Sequence, residues 1–348
     1  MTPACCSVST FDASPAGNKT MKKIWQLCGL LGLLAAISVL NPARAAGLCS
    51  FSPIALTIPG ISTVSGAAYT ATANTTITCT GLPVGEVRVC LQIGTGSAMD
   101  PASLTTRYMT NGSYGLQYNV FTDAGYSTIW GTYSTQTAGY TDVVLTQPNV
   151  AVLLFNGTGT LPLYFKIPAS QTTLPVGTYN ASLTASTNAT YVQWLLNISH
   201  ACNTTIEASL GTVPITITGS VVADCRINTT NIGFGNNGLL NTVLSANGSI
   251  SVQCTNGSPY TIALDKGSTP TGTLTDRQMK SGSNVVHYQL YKEAAFANVW
   301  GDSTSGTALV SGTGTGNSQT WTVYAKVPIQ TTPAVGTYTD TITATVSF

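Results

Sequence analysis

Apolar and polar residues alternate along this chain in short runs with a period of two. In the C-terminal half the runs are 215–217, 249–252, 260–264, 286–291, 320–324 and 339–348, separated by clusters of Gly, Pro and Asn. Such alternation puts successive side chains on opposite faces of a strand, giving each run a core face and a solvent face. No window of useful length repeats with a helical period. Short strands at intervals of about ten residues, bounded by turn residues, predict an all-β chain of antiparallel sandwiches. The last run has the clearest phase: Ile342, Ala344, Val346 and Phe348 point one way, and Thr341, Thr343, Thr345 and Ser347 the other.

The pattern is written twice. Gln171-Thr-Thr-Leu-Pro-Val-Gly-Thr-Tyr179 returns as Gln330-Thr-Thr-Pro-Ala-Val-Gly-Thr-Tyr338. Upstream, Cys79 answers Cys254, Arg107-x-Met109 answers Arg277-x-Met279, Tyr118 answers Tyr288, Trp130-Gly131 answers Trp300-Gly301, and Lys166-x-Pro168 answers Lys326-x-Pro328. Two copies are too few for a solenoid, so they predict tandem domains. The first copy continues beyond its Gly-Thr-Tyr through Tyr191–Ile198 to Cys202, material for one more strand; the second stops at Phe348. We therefore expect domains at 46–208 and 209–348, the second an incomplete sandwich.

Charge removes several function classes. Only 7% of the residues are charged and the net charge is +1, against about 25% charged in ordinary domains. No basic face exists to bind nucleic acid. The stretch 21–45, with Lys22-Lys23, an apolar run and Ala43-Arg44-Ala45, reads as a secretory signal cleaved after Ala45. Residues 1–20 then form a non-native upstream extension. The mature chain keeps Cys49, Cys79, Cys90, Cys202, Cys225 and Cys254. An even count behind a secretory signal predicts disulfides. The repeat pairs Cys225 with Cys254 and Cys49 with Cys79, leaving Cys90 for Cys202. There is no C-x-x-C and there are only two histidines, so zinc is a poor reading. His200 and His287 have no nucleophile beside them in the pattern, and Asp302, Asp340, Arg277 and Trp300 read as packing and loop residues. No enzyme and no cofactor are expected.

The second half resembles the spore coat protein U (SCPU) domain family, including the pilin domains of archaic, Csu-type chaperone–usher pili. The matching residues are Cys225, Phe234-Gly235, Ser251–Cys254, Arg277-x-Met279, Tyr288–Tyr291, Trp300-Gly-Asp302, Val327-Pro328 and Gly336–Asp340. The first half is a looser match that keeps Trp130-Gly131 and Val176–Tyr179. The resemblance implies immunoglobulin-like sandwiches, the C-terminal one lacking its last strand. A periplasmic chaperone would fill that gap, and an adjacent pilin subunit would then do so by strand donation at an outer-membrane usher. Ile342, Ala344, Val346 and Phe348 would flank the accepting edge. Ordinary subunits carry an alternating donor segment before the first cysteine. Here Ala46-Gly-Leu-Cys49 leaves no such segment, which implies a tip adhesin, exported through the periplasm to the pilus tip at the cell surface.

Family adhesins present apolar loops to abiotic surfaces; attachment to an abiotic or host surface and biofilm formation would follow. The corresponding candidates here are Ile58, Ile61 and Val64; Val143, Val144 and Leu145; and Val150, Val152, Leu153, Leu154 and Phe155, with 120–126 as a weaker third segment. The competing expectation is a secreted coat or pilus-shaft subunit without adhesive activity. A lectin ranks below both, because no sugar-binding constellation stands out.

Overall fold

The computed structural model describes residues 49–83, 86–96, 103–132, 141–145, 154–194 and 208–348. In the first half the alternating runs form β1 (Cys49–Phe51), β2 (Ile54–Ile61), β3 (Tyr69–Pro83), β4 (Glu86–Ile93), β5 (Arg107–Asn111) and β6 (Tyr114–Phe121). There follow β7 (Thr141–Leu145), β8 (Leu154–Ile167), β9 (Gly177–Ser182), β10 (Thr187–Trp194), β11 (Ala208–Gly211) and β12 (Ile215–Val221). One sheet has the order β1-β3-β8-β6-β5-β9-β12-β2 and the facing sheet β11-β10-β4-β7. Their inward residues, among them Ile77, Leu91, Leu116, Leu163 and Phe165, are buried. Exposed Thr72, Thr76 and Thr78 face water from β3.

The second half repeats the plan with β13 (Cys225–Thr229), β14 (Leu244–Cys254), β15 (Pro259–Leu264), β16 (Arg277–Ser281), β17 (Asn284–Tyr291), β18 (Val310–Thr313), β19 (Ser318–Val327) and β20 (Ala344–Ser347). Its sheets are β13-β14-β19-β17-β16 and β18-β15-β20. The core is built on Val252, Ile262, Leu290, Trp300 and Ala325.

The repeated landmarks have structural work in both copies. Arg107 lies inside its sandwich with no exposed surface. Its guanidinium donates to the carbonyls of Gly94 (2.8 Å), Ile93 (2.9 Å) and Trp130 (2.7 Å), and to Asn119. Arg277 does the same to Asp265, Leu264 and Trp300 carbonyls and to Gln289. Burial without water disfavours the charge, so both guanidiniums are shifted down, Arg107 to about 10. The Trp130 and Trp300 indoles donate to Leu91 and Ile262 carbonyls at 2.8 and 2.9 Å. The Gln171 amide accepts from the Gln117 N–H and donates to its carbonyl, a side chain standing in for a strand; Gln330 treats His287 likewise.

Cys49–Cys79 and Cys225–Cys254 are disulfides joining directly opposed strand residues. Cys90 is also disulfide-bonded, and Cys202 lies outside the described residues. Residues 49–348 pack as one compact unit. Strand β12, which follows the expected boundary at 208/209, pairs in parallel with β2 and antiparallel with β9. The first sandwich therefore runs through Val221.

Candidate functional site

The two sandwiches differ most where β12 sits. In the first, β12 fills the gap between β2 and β9 and inserts Val213, Ile215, Ile217 and Val221, none more than 1% exposed. Pro214 and Thr216 on the opposite face are exposed. Gly219, also inward, is tightly enclosed: a Cβ there would lie 3.1–3.2 Å from the side-chain ends of Ile61, Leu116 and Met109, which would have to give way.

The equivalent place in the second sandwich is a groove. A cavity of about 420 Å³ runs between the segment Thr229–Phe234, which continues β13, and the segment Tyr338–Ala344, which leads into β20. Its floor is core: Ile250, Leu264, Met279, Leu290 and Val323. No strand among the described residues lies in it. Both flanking strands, β13 and β20, are sheet edges, so backbone groups and apolar floor are offered together.

Ile342, Ala344 and Val346 pack partly buried against this core. Phe348 departs from the phase expected of it and is 55% exposed, since the ladder of β20 on β15 ends at Ser347 opposite Thr261.

One carboxylate stands in the wall. Asp340 accepts from the Tyr288 hydroxyl at 2.7 Å and from the backbone N–H and hydroxyl of Ser268 at 2.8 Å each. The Tyr288 phenol is pushed well above its ordinary range, first by burial, then by its hydrogen bond to Asp340 and by that group's charge. In the first sandwich Ala181 occupies the matching position, and the buried Tyr118 hydroxyl has no hydrogen-bond partner. Asp302, fully exposed, is held below the usual carboxylate range by hydrogen bonds from Thr304. His287 pairs with Asp276 at 2.8 Å. No nucleophile–base pair forms around these groups, and among the described residues no three His, Cys, Asp or Glu side chains cluster to hold a metal.

The expected surface loops fare unevenly. Ile58, Ile61 and Val64 are 7%, 2% and 2% exposed: they are core, and offer no apolar surface. Pro59-Gly60 looks like a turn but is a bulge inside β2, with Gly60 at φ +67. Ile58 pairs with Gly219 and Ile61 with Val221, so two residues stand opposite Ser220 alone and both isoleucines face inward.

The weaker segment 120–126 is also packed: Val120 and Phe121 are buried, and Tyr126 lies edge-on to Phe121 at 5.7 Å. Val143, Val144 and Leu145 lie in β7, and Leu154 and Phe155 begin β8. Val150, Val152, Leu153 and His200 fall outside the described residues. Register brings the flanking strand ends together: Pro83 opposes Leu154, Val87 opposes Leu145, and Glu86 opposes Trp194. Three connections, 84–85, 146–153 and 195–207, thus leave from one end of the first sandwich.

The profile of the Spore Coat Protein U domain family matches residues 35–186 and again 211–345, the second match beginning with the segment that holds β12. The chain belongs to the SCPU domain family. "Protein U" of Myxococcus xanthus is 32% identical over 158 residues, which are 41% of this chain and 87% of that protein. Among solved structures, a chain in the CsuC–CsuE chaperone–tip adhesion subunit pre-assembly complex, from archaic chaperone–usher Csu pili of Acinetobacter baumannii, superposes with TM-score 0.53. Identity is 18%, with 86% of this chain and all of that one covered; the likeness is one of fold. Both SCPU copies thus take a sandwich form, one with its gap filled by β12 and one with the groove open.

Proposed function

We propose that this SCPU chain is the tip adhesin of a chaperone–usher pilus, joined to its fibre through the second sandwich. The observation that carries the reading is the contrast at one position of the repeat: β12 fills the first sandwich where the second presents its groove. A periplasmic chaperone fills the groove during export; an adjacent pilin subunit replaces it at the outer-membrane usher. The three connections at the far end of the first sandwich meet an abiotic or host surface and support biofilm formation. Their apolar sequence, Val150 to Phe155 above all, suits that contact.

Thermal unfolding of the mature chain, with and without a peptide of residues 211–223, tests the groove. The peptide copies the strand that the first sandwich already accepts. Four inward apolar side chains at about 1.5–3 kcal/mol each give roughly 6–12 kcal/mol before ordering costs, so a clear rise in Tm is expected. No rise at any peptide concentration would sink the strand-accepting reading. Replacing Val152, Leu153 and Leu154 with Ser tests the surface: normal attachment by such pili would leave a non-adhesive coat or shaft subunit.

A further inference from the structure

The turn at the joint between the two sandwiches has a counterpart that carries no second sandwich. At the end of the first sandwich nearest the second, the turn 171–176 sits on two loops of its neighbour. The Thr173 carbonyl accepts from Asn256 Nδ2 at 2.7 Å, and Pro175 bridges in parallel to Asn256. A Cβ built on Gly257 would lie 3.9 Å from Pro175 Cβ, and one built on Gly316 only 1.8 Å from the Thr172 carbonyl oxygen. Gly316 is therefore what lets the backbones approach.

The second sandwich carries the same turn at its own far end. Gln330 holds β17 as Gln171 holds β6, and the Tyr338 hydroxyl donates to the Ala334 carbonyl as Tyr179 does to Pro175. Here the turn meets only its own sandwich, where the Leu240 N–H donates to Thr332 Oγ1 at 2.8 Å, and its tip is open: Ala334 is exposed, Val335 is fully exposed and Ile329 is 65% exposed. The strand that fills the first sandwich, β12, ends four residues before Cys225, the first cysteine of the second. So the second sandwich stands to the first as a strand donor stands to its acceptor, with the body of the donor resting on the acceptor's turn.

We propose that the turn 331–335 is a docking surface for the body of the pilin-type domain whose N-terminal strand enters the groove. This rests on the strand-accepting reading above. The partner is another SCPU-like sandwich. It offers a short polar turn after its second cysteine, as Asn256-Gly257 does, and a residue without Cβ where Gly316 stands. The internal joint of this chain then gives the geometry of the joint between subunits, with the turn adding contact that a free donor peptide does not make.

A tandem protein tests this: the full mature chain with residues 209–348 appended through a Gly/Ser linker as long as the 195–207 connection. Cysteines at Pro175 and Gly257 in the unextended chain are the control, since a 3.9 Å Cβ separation suits a disulfide. In the tandem, Ala334→Cys in the middle sandwich is paired with Gly257→Cys in the appended one. Asn256→Cys serves as a second pair, should strain at the positive φ of Gly257 unfold the domain.

Expected is disulfide formation at a rate close to the control and at least tenfold faster than from Ala295→Cys, an exposed position off the turn. If the tandem binds one peptide of residues 211–223 per molecule, in the groove of the appended sandwich, yet position 334 crosslinks no faster than 295, the docking proposal is overturned and the groove reading stands. If the tandem binds two peptides, the appended strand has not entered and the docking proposal falls; if neither the tandem nor the unextended chain binds any, both readings fall.

Discussion

Ile217→Ala separates the two sandwiches energetically. Ile217 lies on the C-terminal side of Cys202, yet its side chain is 1% exposed and belongs to the core of the first sandwich, with β12 opposite Ala181 and Leu56 in the flanking strands. Truncating a buried isoleucine costs about 2–5 kcal/mol, the spread reflecting how well the site collapses. Collapse is limited here, because β12 is pinned on both edges by ladder hydrogen bonds. A loss of about 2 kcal/mol multiplies the opening equilibrium by roughly 30. Amide exchange read by mass spectrometry on the intact mature chain resolves where that loss falls. The peptides covering β2 and β9 should lose protection by that factor, while those covering β14 and β19 keep theirs. Equal loss in both sandwiches, or loss confined to β14 and β19, would refute the assignment of β12 to the first sandwich.

Further outcomes follow from the same geometry. Arg107→Ala strips hydrogen-bond donors from three buried carbonyls, at about 1–3 kcal/mol each; a midpoint shift under 1 kcal/mol in urea unfolding would contradict it. Replacing Cys225 and Cys254 by Ser opens a loop of 29 residues, worth about 3.5 kcal/mol in the chain-entropy model, and should lower the Tm of the peptide-responsive transition. Burial raises the Tyr179 phenol to about 12. Its folded form keeps the proton where the unfolded form ionises, so its contribution is full below about pH 10 and is lost towards pH 12. The stability gap between the native chain and Tyr179→Phe should therefore shrink over that window; a gap independent of pH would count against it.

Much of the architecture could be read from the residues. Alternation identified the strands because each has one wet and one dry face, and the repeat gave Arg, Trp, Gln and Tyr the same jobs twice. Two features stayed hidden for physical reasons. Alternation fixes which face of Ile215–Val221 is buried but not which sheet receives it, and proximity to Cys225 pointed to the second sandwich. Pro59-Gly60 has the chemistry of a turn, and only pairing with β12 reveals a bulge that returns Ile61 to the core. An incomplete second sandwich was expected, but for another strand: the run at 191–198 begins in β10, which β20 matches, and the strand without a counterpart is β12. Asp340 reads from the residues as a loop and packing position, and it accepts from Ser268 and Tyr288; which partners it takes was not legible.

The lie of β12 also sets how tension travels through the molecule. A pull on the second sandwich is handed to the first along the axis of this strand, from Val221 back towards Ile215. Its ladders to β2 and β9 run beside it over most of its length, and their hydrogen bonds lie across the pulling direction, perpendicular in the antiparallel ladder to β9 and slanted in the parallel one to β2. Load is then spread over both ladders together instead of opening them one rung at a time. The connection yields as a shear joint, with Ile215, Ile217 and Val221 having to leave their sockets in the same step.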